Sequence, residues 1–188
     1  EDFKELIDQE KKILEIDPNN KIINGNLGSI FYYSKDYKNA FKYLEKVVSL
    51  YPFDYDSNLL LAWTNLKLGK NEEAEKYFNI VLLFSPKDVS ANEGLSYIKR
   101  TIPLSEKTLE TFLKSYELAE KNDYKGAISA IKEVYDASSY FMNLRLGWLY
   151  YLAAMQPEAA GYYKIASDIQ PNAVEPKLGC GFPAEVLG

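Results

Sequence analysis

Large apolar residues recur along the chain in paired stretches, each pair folded at a polar turn and most pairs closed by a proline. In 21–54 they are Leu27, Phe31 and Leu44; in 55–88, Leu61 and Phe78; in 140–173, Leu146, Tyr150 and Tyr163. The turns are Lys35-Asp36-Tyr37, Gly69-Lys70-Asn71 and Asn122-Asp123-Tyr124, compositions that reverse a chain between two helices. The pattern predicts an all-α chain of helical hairpins, a first helix (A) followed by a second (B). The proline stops helix B because it lacks an N–H and its φ is locked. One hairpin cannot bury its apolar face alone, so stacked neighbours supply the core.

The spacing is regular. Pro18, Pro52 and Pro86 stand 34 residues apart, and Pro171 closes a later unit in the same phase. On that period 21–54, 55–88 and 140–173 are full units, and 1–18 is the second half of a unit. Residues 89–100 read as a lone helix A, interrupted at 101–104. Residues 105–139 form a degenerate unit, with helices from about Ser105 to Lys121 and over Tyr124–Tyr135. Residues 174–188 start a further unit or a cap, with Pro176 near the helix start and Pro183 ending it. The expectation is one repeat array, 1–188, of about 11 helices. The interruption is read as a bend rather than a domain boundary, since both flanks are apolar and periodic.

The columns that repeat are Leu27-Gly28, Phe31, Ala40, Leu44 and Pro52; then Leu61-Ala62, Ala74, Phe78 and Pro86; then Leu146-Gly147, Tyr150, Ala159, Tyr163 and Pro171. They resemble the tetratricopeptide repeat pattern, W-x2-L-G-x2-Y…A-x3-F…P. Two columns depart from it: the first position is Asn24, Asn58 and Asn143 rather than Trp, and Asn65 replaces an aromatic.

The resemblance implies a tetratricopeptide-type solenoid wound as a right-handed superhelix. Small residues such as Gly28, Ala74 and Ala159 would sit where helices approach closely, and helix A of each unit would line a concave surface. On that surface fall Ile22, Gly25, Asn26, Ser29, Tyr32 and Tyr33 from the first full unit, and Asp56, Leu59, Leu60, Trp63, Leu66 and Lys67 from the second. The late unit offers Phe141, Leu144, Arg145, Trp148, Tyr151 and Leu152, with Tyr97, Phe112 and Tyr116 from the irregular middle. One column reads Ser29, Trp63, Tyr97, Tyr116 and Trp148, an aromatic row of the kind that anchors bound partners. The candidate peptide-binding residues are therefore Tyr32, Tyr33, Leu59, Trp63, Tyr97, Tyr116, Arg145, Trp148 and Tyr151. The competing reading buries the same rings as core between tightly curled helices.

The resemblance thus implies a protein-interaction scaffold that holds a peptide or protein segment. Two alternatives stand beside it: a self-assembling spacer, and an accessory domain of a larger enzyme or membrane-associated protein. Chaperone-binding members grip a C-terminal carboxylate with Lys and Asn; here those places hold Gly25, Ser29, Leu60, Ser90 and Gly94, so chaperone C-terminal tails are not expected partners.

Composition narrows the chemistry. A net charge of −5 argues against a nucleic-acid footprint and a polybasic membrane-surface helix. The 34-residue spacing and the acidic balance also disfavour the related 35-residue family that reads RNA. The absence of histidine removes the commonest general base and metal ligand, and the single cysteine, Cys180, excludes an intrachain disulfide. No catalytic residue, metal or cofactor is expected. Gly179-Cys180-Gly181-Phe182-Pro183-Ala184 spells G-x-G-x-x-A, but a dinucleotide fingerprint needs a preceding strand and a following helix. Glu72, Glu73 and Glu75 read as a solvated first turn favoured by the helix dipole, and Lys35, Lys38, Lys42 and Lys46 as a solvated stripe. The longest apolar run, Leu146 to Met155, is half of the roughly 20 residues that span a bilayer, so no membrane insertion is expected. The chain begins at Glu1 without methionine, which allows a removed export signal or an excised fragment and leaves the compartment open.

Overall fold

The structure, a computed structural model, describes residues 3–98 and 106–179. Among the described residues there are ten complete α-helices, the start of an eleventh, and no strand. They are α1 (Lys4–Ile16), α2 (Lys21–Tyr33), α3 (Tyr37–Leu50), α4 (Tyr55–Lys67), α5 (Asn71–Phe84), α6 (Val89–Tyr97), α7 (Glu106–Glu120), α8 (Tyr124–Lys132), α9 (Tyr140–Leu152) and α10 (Gln156–Ile169). Residues 175–179 are also helical, beginning one residue before Pro176. The interruption at 101–104 and the G-x-G-x-x-A stretch beyond Gly179 lie outside the described residues.

The chain divides into two compact units, 1–82 with 87–102, and 83–86 with 103–188. In the first unit α2 packs on α3, α3 on α4, and α4 on α6; in the second α7 packs on α8, α8 on α9, and α9 on α10.

The helices start where the sequence supplies a cap. Asn20, Asp36, Asp54, Asp88, Asp123 and Ser139 each accept a hydrogen bond from a backbone N–H in the first turn of the helix that follows. Within the hairpins the turn residue is left-handed at one recurring position: Lys35, Gly69, Asn122 and Ala154 all have φ between 57° and 75°. Glu72 and Glu73 occupy the first turn of α5 and are exposed, as the dipole argument requires. Glu75 departs from the expected solvated turn and is buried.

The asparagines that replace the family tryptophan have a shared role. Asn24 Nδ2 donates to the carbonyls of Pro18 and Asn20 at 3.2 and 2.8 Å. Asn58 does the same to Pro52 and Asp54 at 2.9 and 2.7 Å, and Asn143 to Ala137 and Ser139 at 3.0 and 2.8 Å. Each amide ties the closing loop to the first turn of helix A, satisfying a loop carbonyl that a buried side chain would otherwise cut off from water.

A second device links successive repeats. The first residue of a helix A bonds an acid at the start of the next one: Lys21 pairs with Asp54 at 2.5 Å, Tyr55 donates to Asp88 at 2.5 Å, and Tyr140 donates to Glu175 at 2.6 Å. Burial works to raise the Asp54 carboxyl, but hydrogen bonds from Lys21 and Ser57 outweigh it and hold the group below the usual carboxylate range. The Tyr55 phenol is pushed up to about 12, first by its bond to Asp88 and then by burial. Tyr140 is pushed up as well, by burial first and then by Glu175.

Small residues sit at the close approaches. Ala40, Ala74, Ala127 and Ala159 are fully buried, and a Cβ added at Gly28 would lie 2.6 Å from the Leu44 side chain. A side chain at Gly94 would collide with the Phe78 ring, and one at Gly179 with the Tyr163 ring. These two glycines lie 16 residues beyond their aromatics; at the same offset from the smaller Leu44 the chain carries Leu60, which packs on it. A ring on helix B is thus matched by a glycine on the next helix A.

Candidate functional site

Unit 1 presents a concavity of about 720 Å³ between the A helices. From α2 it is lined by Lys21, Ile22, Gly25, Asn26, Ser29, Tyr32 and Tyr33; from α4 by Asp56, Ser57, Leu59, Leu60 and Trp63; and from α6 by Ser90. These side chains point the same way because helix-periodic positions share one face, and their opposite faces carry the buried Leu27 and Leu61. Continuous with it through Trp63 is a smaller hollow of about 410 Å³, lined by Trp63, Leu66, Lys67, Glu93 and Tyr97.

Trp63 is half-buried and tightly oriented. Its indole Nε1 donates to Ser90 Oγ at 2.9 Å, and its ring meets Phe78 edge-on at 5.2 Å between centroids. Tyr97 approaches at 6.1 Å and is 61% exposed. At the other end Tyr33 is 77% exposed and sets its ring at 85° to Tyr32, whose phenol is raised by burial and by the neighbouring Tyr37 and Tyr33. Leu59 is half-buried, and Asp56 is exposed with no ion pair among the described residues. Glu10 of α1, which is buried, accepts from Asn26 Nδ2 at 3.0 Å and so fixes one wall.

The remaining candidates belong to unit 2. Trp148 is 42% exposed and stacks on the half-buried Tyr151 at 5.6 Å and 25°. Arg145 is not an exposed groove residue: it is only 8% exposed. Its Nε donates to Ser115 Oγ at 3.0 Å, Nη2 to the Ser115 carbonyl at 3.1 Å, and the guanidinium covers the Tyr116 ring at 4.1 Å. Burial lowers its pKa, with Tyr116 opposing. The reason is length: the side chain reaches back from α9 to a serine on α7, and a planar guanidinium lies flat on an aromatic face. Tyr116 is largely buried beneath it, and Phe112 is fully buried.

The sequence reading named the rings of unit 1 but not what holds them. Ser90 as the acceptor for Trp63, and Glu93 beside Tyr97, come from the next helix A and carry no motif of their own. Among the described residues no group of three or more His, Cys, Asp or Glu could hold a metal ion, and no helix is long and apolar enough to cross a membrane.

No curated protein matches the chain. Among solved structures it aligns with a tetratricopeptide repeat protein from Parabacteroides merdae, at 16% identity over 97% of this chain and 78% of that one, TM-score 0.47. It aligns with the TPR2AB domain of yeast Sti1 in complex with pHSP90, at 18% identity over 98% and 78%, TM-score 0.42. It aligns also with YrrB, described as a TPR protein with an unusual peptide-binding site, at 12% identity over 94% and 82%, TM-score 0.39. Residues 31–92 match the family described as tetratricopeptide repeat, a stretch from the first full hairpin into α6. The columns of that stretch recur beyond it in the α9–α10 hairpin, which likewise resembles a tetratricopeptide repeat.

Proposed function

We propose that the chain is a non-catalytic interaction scaffold whose unit 1 concavity receives a segment of another protein. The observation that carries this reading is Trp63: a large ring lining both the concavity and the smaller hollow, with its only polar hydrogen already bonded to Ser90. Burying such a ring under a partner strands no donor, and rigid aromatics in a recess are where binding energy concentrates. Tyr32, Tyr33, Leu59 and Tyr97 extend the apolar surface on either side, and in unit 2 the stacked Trp148 and Tyr151 offer a second, smaller aromatic surface. The test is Trp63→Ala: loss of about 2 kcal/mol or more in partner affinity with the helical circular-dichroism spectrum retained supports the reading. Unchanged affinity would remove it.

Self-association is the second reading, and α1 favours it. Leu6, Ile13 and Ile16 are exposed on that helix, Ile16 at 89%. A concentration-dependent sedimentation coefficient that Leu6→Glu and Ile13→Glu together abolish would assign that face to a second copy.

A further inference from the structure

We infer that the segment received in unit 1 is basic where it meets Trp63: an arginine or lysine side chain of the partner enters the corner formed by Trp63, Tyr97 and Glu93. This rests on the concavity being the binding surface. The two rings meet at 61°, so together they make a corner rather than a flat wall. Since Trp63 Nε1 is engaged by Ser90, what the indole offers a newcomer is its π face, which attracts cations. The Glu93 carboxylate stands beside it, exposed, and accepts from Tyr97 Oη at 3.2 Å. Two aromatic faces and a carboxylate in one hollow of about 410 Å³ are complementary to a guanidinium or ammonium group with an apolar stem.

The charges along the concavity agree. Lys21 is held by Asp54 at 2.5 Å and covers the Tyr51 ring, so it is already engaged. Asp56 is exposed and makes no ion pair among the described residues. An acidic segment would meet Asp56 and Glu93, whereas a basic one is favoured at both. Among the described residues, Lys67 is the opposing charge in the hollow. It is exposed at the C-terminal end of α4, on a flexible stem, and makes no cation–π contact with either ring. Lys67 therefore competes with the incoming cation, which fixes the sign of its removal.

The experiment selects binders of the wild-type protein from a random 12-residue peptide library, then titrates the fluorescein-labelled consensus peptide and a copy with its basic residues changed to glutamine. The expected result is a consensus with arginine or lysine beside an apolar residue. Glu93→Gln weakens that peptide about fivefold to tenfold and leaves the glutamine copy unaffected, while Lys67→Gln tightens the basic peptide. Both positions are exposed, so neither variant tests folding. Peptides that need Trp63, by Trp63→Phe and Trp63→Ala, yet carry no basic residue or ignore Glu93→Gln overturn the cation site and leave the groove standing. No enrichment, or binders indifferent to both Trp63 variants, overturns the groove reading and this inference with it.

Discussion

Trp63 in unit 1 and Tyr116 in unit 2 were placed in the same column by the repeat, yet the structure gives them different neighbours. Beside Trp63 the next helix A brings Ser90, which satisfies the indole N–H without covering the ring. Over Tyr116 the next hairpin brings Arg145, whose guanidinium lies on the ring at 4.1 Å. The first arrangement leaves a hollow; the second closes it, and Tyr116 Oη is buried with no hydrogen-bond partner among the described residues. Whether a column forms an open hollow or a core thus depends on the size of the residue that arrives from the following helix, not on the column.

That contrast can be broken by mutation, and the largest effect is expected in the closed region. Phe112→Ala removes a fully buried ring and should cost about 3–5 kcal/mol in chemical denaturation, while Tyr97→Ala, at an exposed ring of the open region, should stay within about 0.5 kcal/mol. Equal losses would mean that the open region is core. Ala159→Leu, at a fully buried crossing in unit 2, should cost about 1–3 kcal/mol by overpacking; an unchanged melting temperature would show that the crossing has room.

The repeat-to-repeat bonds sharpen the comparison in unit 1. Tyr55→Phe should cost about 1 kcal/mol at neutral pH through loss of the bond to Asp88. The Tyr55 phenol is raised in the folded state, so its stabilisation is complete below pH 10 and is lost as pH rises through about 12. Wild type and Tyr55→Phe should therefore converge in stability across that interval, and a constant difference in alkaline denaturation would assign the effect elsewhere. The smallest effect lies in the turns. Ala154 has φ 57° where the matching turn of unit 1 has Gly69, so Ala154→Gly should raise stability by about 0.5 kcal/mol. A loss on substitution would mean that the methyl group packs.

The period, the hairpins and the small columns were legible because each records a local constraint. A helix buries one face, so its apolar residues recur; a close crossing admits only Gly or Ala; a turn needs a left-handed residue and a capping side chain. The three asparagines were visible as departures from the family pattern, but their paired carbonyl bonds were not, since those depend on the path of the preceding loop. Asn92 shows the limit: in the same phase on α6, it is exposed and bonds the Asp88 carbonyl.

By itself, the sequence determined where the helices run and which of their faces pack, because helical periodicity is written in the chain one residue at a time. Tertiary structure alone decided which of the other residues stay exposed. Ser90 beside Trp63, Asp88 on Tyr55 and Ser115 under Arg145 join positions 27 to 33 residues apart, and nothing in either residue announces the other. Exposure in a stacked array is set by the neighbour's side chain, and it is defined only once the helices are in contact.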